Sequence, residues 1–378
     1  MSRYYLGMIS GTSVDGIDAV LCRFADHRCE IALARTFAYP PAIAGRVRRL
    51  IEQPSGALSE IGALDVAVGR YFADCAIALL REAHIDTSEV AAIGHHGQTI
   101  YHHPEPPEPF SWQLGDPSSI AALTGIDTVA DFRRLDIALG GQGAPMVPAF
   151  HQWLFASDER TRIVLNVGGI ANITLIRPGA ETLGFDTGPG NTLLDHWIRR
   201  CRNEAYDDDG RWAESGHVVE PLLQSLCDEA YFSRPPPKST GRELFNETFL
   251  QSKLATIPPE TAAADIQATL LEFTAKTVSD SISGLEIGDY DLVVCGGGAK
   301  NSALLRRLEA HTGVRPQTSA AFGIDPDWVE GAAFAWLARA RQEHEPGNLP
   351  TVTGARQAAV LGAVYSGVEP SDRKTGDL

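Results

Sequence analysis

Hydrophobic positions along this chain follow two periods, and the switch between them happens twice. Residues 4–9 and 19–24 are short apolar runs bounded by small residues, which predicts two strands. Between them, Ser10-Gly11-Thr12-Ser13-Val14-Asp15-Gly16-Ile17-Asp18 is a small, hydroxyl-bearing, glycine-containing tip, so the pair reads as a hairpin. Helical spacing follows over 42–52 and 58–82. The second of these places Leu58, Ile61, Leu64, Val68, Phe72, Cys75 and Leu79 on one face. Short strands are expected at 91–94, 112–115 and 127–130, with a helix at 118–124 and a proline-dense surface loop at 104–109. The pattern then restarts: apolar 163–165, the tip Asn166-Val167-Gly168-Gly169-Ile170-Ala171-Asn172, and apolar 173–176. Helices are expected at 192–200 and 265–283, the latter with Ile266, Leu270, Phe273 and Val278 apolar. A short buried strand at 292–294 runs through Gly296-Gly297-Gly298 into a helix at 302–310, and a last helix spans 325–341. Two halves that each open on a glycine-tipped hairpin favour a duplicated architecture.

Length supports the division. At 378 residues the chain exceeds the size at which one hydrophobic core keeps growing. The expected lobes are 1–157, joined by part of the tail 348–378, and 158–347. A composition of 44% hydrophobic and 21% charged residues is that of an ordinary globular protein. Lysine and arginine total 32 against 48 acidic residues, a net charge of −16, which argues against nucleic-acid or anionic-membrane partners. No stretch is apolar enough to span a bilayer, and the N-terminus lacks the apolar segment of a signal peptide. The six cysteines show no Cys-x-x-Cys pairing, so reduced thiols in a cytoplasmic protein are expected.

The candidate chemistry centres on Leu-Gly-Phe-Asp-Thr-Gly-Pro-Gly-Asn at 183–191. An apolar run ending in Asp186, with Gly188 in the flexible backbone beyond it, suits a carboxylate facing a cleft, where it can serve as a general base. Three glycine-rich segments are expected to cradle a nucleotide, because glycine lets main-chain amides approach phosphate. They are Gly11 to Asp18, then Asn166, Gly168, Gly169 and Asn172, and finally Gly296, Gly297 and Gly298 at a helix start. An ordinary turn remains the alternative for the first. His96 and Gln98 follow a strand and suit the lining of a cleft. Arg133, after a strand and before a glycine loop, suits a carboxylate or phosphate, or else a salt bridge to the scaffold. Glu330, in the first turns of the last helix, either complements the helix terminus or hydrogen-bonds substrate. The histidines at 95, 96, 102 and 103 lack helical metal-ligand spacing, and no metal ligands are assigned.

Phosphate hairpins opening each half, a carboxylate strand and a late strand-glycine-helix unit resemble the actin, sugar-kinase and heat-shock ATPase superfamily. The resemblance implies an α/β, two-lobed actin-like ATPase (ribonuclease H-like) fold. In that fold each lobe is a mixed β-sheet flanked by helices, with ATP and substrate in the interlobe cleft. More narrowly, several motifs are similar to those of the anhydro-N-acetylmuramic acid kinases. These are Ser10-Gly11-Thr12-Ser13-x-Asp15-Gly16-x-Asp18, His96-Gly97-Gln98-Thr99, Asp131-Phe132-Arg133, Gly140-Gly141-Gln142-Gly143-Ala144-Pro145, Asn166 to Asn172 and Gly184-Phe185-Asp186-Thr187-Gly188-Pro189. Val14 stands where methionine is more usual. The resemblance implies ATP with Mg²⁺, an anhydro amino sugar opened by water and phosphorylated, and a homodimer. It also implies Asp186 as the base, ATP held by the three glycine segments, and substrate contacts at His96, Gln98, Arg133, Gly188 and Glu330. A plain sugar kinase, in which Asp186 deprotonates a hydroxyl, and an actin-type ATP-binding protein are the alternatives.

Overall fold

The computed structural model describes residues 3–11, 14–241 and 243–368. In chain order its strands are β1 Tyr4–Ser10, β2 Gly16–Ala25, β3 Arg28–Ala38, β4 Val90–His103, β5 Phe110–Leu114, β6 Thr128–Ala130, β7 Thr161–Val167, β8 Ile170–Ile176, β9 Leu183–Pro189, β10 Tyr290–Cys295, β11 Gln317–Thr318 and β12 Ala363–Tyr365. They form two mixed sheets, one in each of two compact units. The first unit takes the chain up to Leu154 and again from Trp328; the second is Phe155–Asp327.

The first sheet runs β12-β6-β4-β1-β2-β3, with β5 paired to β4. The second runs β11-β10-β7-β8-β9. Read outward from the hairpin, the two orders match. In each, a three-stranded antiparallel meander (β1-β2-β3, β7-β8-β9) continues on its other side into parallel strands (β4 and β6, β10 and β11). The duplication expected from the two glycine-tipped hairpins is therefore present in the backbone. Helices flank both sheets, and each unit has its own core. Leu6, Met8, Ile17, Leu21, Phe72 and Leu79 centre the first, and Ile163, Leu165, Ile173, Phe273, Leu292 and Val294 the second.

Several elements differ from the sequence expectation, each for a physical reason. The strand expected at 91–94 is the much longer β4. Its polar-looking segment His95-His96-Gly97-Gln98 is buried throughout; β1 pairs along one side of it, and β5 joins on the other from Gln98 onward. β3, where no strand is expected, is an edge strand, half exposed, with Arg28, Glu30, Arg35 and Thr36 interrupting its apolar positions. In the helix Leu58–Ala83 the buried stripe starts at Leu64, while Leu58 at the first position is 84% exposed.

The chain re-enters the first unit at Trp328 rather than near 348. The helix Val329–Gln342 lies directly on the backbone of β1 and β4. A Cβ placed on Gly7 would sit 1.9 Å from the Gly331 carbonyl oxygen, and one on Gly94 would sit 1.9 Å from that of Phe334. A Cβ on Gly331 would in turn meet Val20 at 2.4 Å. Main chain touches main chain here, so no side chain is tolerated on the strand side. Overpacking of this kind costs about 1–3 kcal/mol, and more where backbone must retreat. Gly94→Ala should lower the denaturant midpoint by at least that equivalent. Gly45→Ala, in the helix Pro41–Glu52 where a Cβ meets nothing within 4 Å, should stabilise by up to about 1 kcal/mol. A Gly94→Ala protein that unfolds with the wild type would contradict this packing.

Candidate functional site

In the second unit, strand register gathers the predicted residues into a row. Asn166 on β7 lies opposite Asn172 on β8, and Asn172 lies opposite Asp186 on β9. Residues directly opposite one another point to the same face, so the three polar side chains share one face of the sheet. The glycine segments close around the end of this row. Asn191 N–H donates to the Gly168 carbonyl at 2.8 Å and Gly190 N–H to that of Gly169 at 2.9 Å. Gly296 (φ +77°) approaches so closely that a Cβ would lie 2.4 Å from Asn166 Oδ1. Thus Asn166, Gly168, Gly169, Asn172, Asp186 and Gly296–Gly298 form one contiguous region, whereas Gly188, opposite Ala171 after a bulge, turns to the other face, where a Cβ would meet Phe232 at 2.9 Å. A 3₁₀ turn, Gly297–Lys300, stands between the glycines and the helix Ser302–Thr312.

Asp186 itself lies mid-strand rather than at a strand end, since β9 continues to Pro189. Its surroundings come from a segment distant in sequence. Asp186 N–H donates to the Lys238 carbonyl at 3.0 Å, Thr240 N–H donates to Asp186 Oδ2 at 2.9 Å, and the Tyr231 hydroxyl donates to the Asp186 carbonyl at 2.6 Å. Burial raises the acid's pKa, the Thr240 N–H draws it back, and the charge of Glu243 raises it again, leaving it at about 7. A carboxyl poised there can take or hold a proton near neutrality.

The first unit holds the other predicted residues. Val14 and Ile17 are buried, so only their backbone faces the hairpin tip; Thr12 and Ser13 lie outside the described residues. Gly11, Asp15 and Gly16 lie at the tip, and Asp18 accepts from Thr36 Oγ1 at 2.6 Å. Gln98 is fully buried behind the tip. Its Oε1 is 2.6 Å from Ser10 Oγ, and its Nε2 donates to the carbonyls of Gly11 and Thr99, both at 3.2 Å. It is thus a brace for the hairpin, where the sequence suggested a residue lining a cleft.

His96 and Arg133 are joined. The Nε and Nη2 groups of Arg133 lie 3.1 and 2.9 Å from His96 Nε2, and Nη1 donates to the Gly143 carbonyl at 2.7 Å. His96 Nδ1 is 3.0 Å from the Gly97 carbonyl, so the ring is neutral, protonated on Nδ1 and accepting on Nε2. Burial, then the Arg133 charge, holds its pKa well below the ordinary histidine value. Arg133 is pushed down to about 10 by burial, with the charge of Glu330 acting the other way. Glu330 sits half-buried in the first turn of its helix. Among the described residues, no group of three or more His, Cys, Asp or Glu is arranged to hold a metal ion.

The profile of the anhydro-N-acetylmuramic acid kinase family matches residues 3–367. The chain belongs to this family. A relative named anhydro-N-acetylmuramic acid kinase from Shewanella denitrificans is 48% identical over 366 residues, covering 96% of this chain and 98% of its own. One of the same name from Pasteurella multocida is 47% identical over 373 residues, covering 96% and 97%. Among solved structures, the activator of the 2-hydroxyisocaproyl-CoA dehydratase from Clostridium difficile matches 90% of this chain and 96% of its own. Its identity is 14% and its TM-score 0.46.

For a member of the anhydro-N-acetylmuramic acid kinase family, the sequence leaves out the groups that hold Asp186. Neither Tyr231 nor Thr240 stands in a motif that the sequence marks. The Gln98 brace is open to test. Gln98→Ala would remove one partner each from Ser10 Oγ and the Gly11 carbonyl, which keep the Gly16 carbonyl and the Val14 N–H, at a cost of about 0.5–1.5 kcal/mol per hydrogen bond lost. Hydrogen exchange at Gly11 and Val14–Gly16 should accelerate at least several-fold while the second unit is unchanged. Unaltered exchange would show that the tip holds itself.

Proposed function

We propose that the chain converts 1,6-anhydro-N-acetylmuramic acid, ATP and water into N-acetylmuramic acid 6-phosphate and ADP, in peptidoglycan recycling. The observation that carries this beyond family membership is Asp186, a buried carboxyl poised near neutral pH in a polar row beside two glycine loops. Asp186 takes a proton from the water that attacks C1. The bond from C1 to the bridge oxygen breaks, and that oxygen, on C6, accepts the γ-phosphoryl group. The Thr240 N–H keeps Oδ2 oriented, leaving Oδ1 for the water.

In this reading the two units correspond to the two expected lobes, and each supplies part of the binding machinery. The tips Gly11 to Asp18 and Asn166 to Asn172, with Gly296–Gly298, hold the ATP phosphates. Positioning and electrostatics then supply most of the rate. Asp15 carries a carboxylate at the first tip suited to an ATP-bound Mg²⁺, which when present spreads the phosphate charge. Glu330 and the joined pair His96–Arg133 face the sugar. The family also suggests a cytoplasmic homodimer, which sedimentation would test. A plain sugar kinase would use the same carboxyl on a substrate hydroxyl. Turnover in oxygen-18 water separates the two, since our reading requires label at C1 together with phosphate at C6, and phosphate without label would establish the other.

Asp186→Asn should cut turnover by about 10²–10⁴-fold. In the wild type kcat/KM should rise with pH up to about 7 and then level, because the protonated carboxyl cannot accept a proton. The raised value also means that ionised Asp186 disfavours the fold above that pH, with no penalty below the ordinary carboxylate range. Asp186→Asn should therefore raise the Tm at pH 8 and lose that gain as pH falls toward 4. A flat pH profile, or a variant turning over like wild type, would remove Asp186 from the chemistry.

Glu330 is tested separately. Its charge supports the buried Arg133, so Glu330→Gln should raise the KM for the anhydro sugar or lower kcat while the KM for ATP holds. Sugar kinetics matching wild type would leave Glu330 only its helix-terminus role.

A further inference from the structure

The opposite side of β9 from Asp186 carries a cavity that the proposed reaction does not use. It has a volume of about 200 Å³, and Phe185, Phe232 and Leu285 provide apolar walls, with Arg234 and Lys238 at one side. Successive residues of a strand face opposite ways, so Phe185 faces this cavity and Asp186 faces away. Lys238 turns to the Phe185 side, its Nζ 4.8 Å from the centre of the Tyr231 ring and 5.9 Å from that of Phe185. It is thereby directed away from the Asp186 face. Lys238 donates to the carbonyls of Phe232 at 3.2 Å and Tyr231 at 3.5 Å, which leaves a third N–H unspent. Arg234 also lies against Tyr231, 5.9 Å from its ring centre.

Two cations thus share one partly enclosed, mainly apolar corner, and no ion pair among the described residues involves either of them. The one acid on the cavity wall, Asp280, is bound to Lys276 at 3.0 Å. Burial and the neighbouring Arg234 both disfavour the charged form of Lys238. An anion between the two would relieve both effects. The apolar walls suit a ring or branched body, and a dry cavity of roughly 150 Å³ is known to take up benzene.

We propose that this cavity binds a small carboxylate with an apolar body, and that its occupant acts on Asp186 through residues 238–240. The link is covalent and short. The carbonyl of Lys238 accepts the Asp186 N–H, and two residues on, the Thr240 N–H holds Asp186 Oδ2. A ligand that draws the Lys238 side chain shifts the strip that orients the carboxylate. This second half rests on Asp186 being the base; the binding half does not.

Calorimetric titration of the full chain with benzoate, benzamide and inorganic phosphate tests the site. Benzoate should bind saturably, with benzamide and phosphate each about tenfold weaker or more. Loss of a charged hydrogen bond should weaken benzoate by about tenfold or more in Lys238→Met and in Arg234→Gln. Arg234 is exposed, so its variant keeps the test valid if the Lys238 variant fails to fold. At saturating substrates, benzoate should change kcat for the anhydro sugar by about twofold or more in wild type and not in Arg234→Gln. Undiminished binding in Arg234→Gln, or benzamide or phosphate matching benzoate, would overturn the site. Binding with unchanged kcat would overturn the action on Asp186. Benzoate binding should persist in Asp186→Asn. If that variant binds benzoate yet turns over normally, the assignment of the base fails while the cavity stands.

Discussion

The contact of the helix Val329–Gln342 with Gly7 and Gly94 fixes most of what the first unit can do. With no Cβ between them, helix and sheet meet at main-chain distance, and three separate stretches are located by one interface. β1 runs from Gly7 directly to Ser10 and the hairpin tip. β4 runs from Gly94 directly to His96 and Gln98. The helix itself carries Glu330 next to Gly331, the residue whose carbonyl lies over Gly7. A brace for the hairpin tip, a buried histidine–arginine pair and the acid that supports it are therefore held by residues chosen for smallness.

The second unit solves a different problem. A carboxyl buried in a sheet is costly to ionise unless hydrogen bonds compensate. Here the compensation is partial: one main-chain donor reaches Oδ2, no ion pair among the described residues involves the carboxylate, and Glu243 opposes ionisation. More donors would make a stronger acid and a weaker base. The neighbouring side chains in the row are asparagines, which supply polarity without charge.

Much of this was legible in sequence because it depends on local pattern. Both glycine-tipped hairpins, the duplicated order of the units and the buried face of the helix Ala263–Ser283 follow from periodicity and turn residues. The elements that resisted reading are those set by distant partners. The polar stretch 95–98 is strand because it pairs with β1, far back in the chain, which no local window contains. Gln98 was expected to line a cleft, yet its hydrogen bonds run to Ser10 and Gly11, 88 and 87 residues away. The last helix carried no mark of the unit it joins; that information lies in Gly7 and Gly94, where a missing side chain is the signal. The shape of the Asp186 site depends likewise on Tyr231 and Thr240, about fifty residues downstream in the chain.

The path of the chain has a consequence for its biosynthesis. The second unit is one uninterrupted segment, Phe155–Asp327, whereas the first needs both the opening of the chain and the helix Val329–Gln342, with β12 at its sheet edge. A nascent chain leaving the ribosome therefore has everything required for the later unit before it can finish the earlier one. Until the last helix emerges, β1 and β4 present a glycine-lined apolar surface with nothing on it. The unit begun first is completed last, and the incomplete intermediate is the one in which chaperones would find exposed sheet.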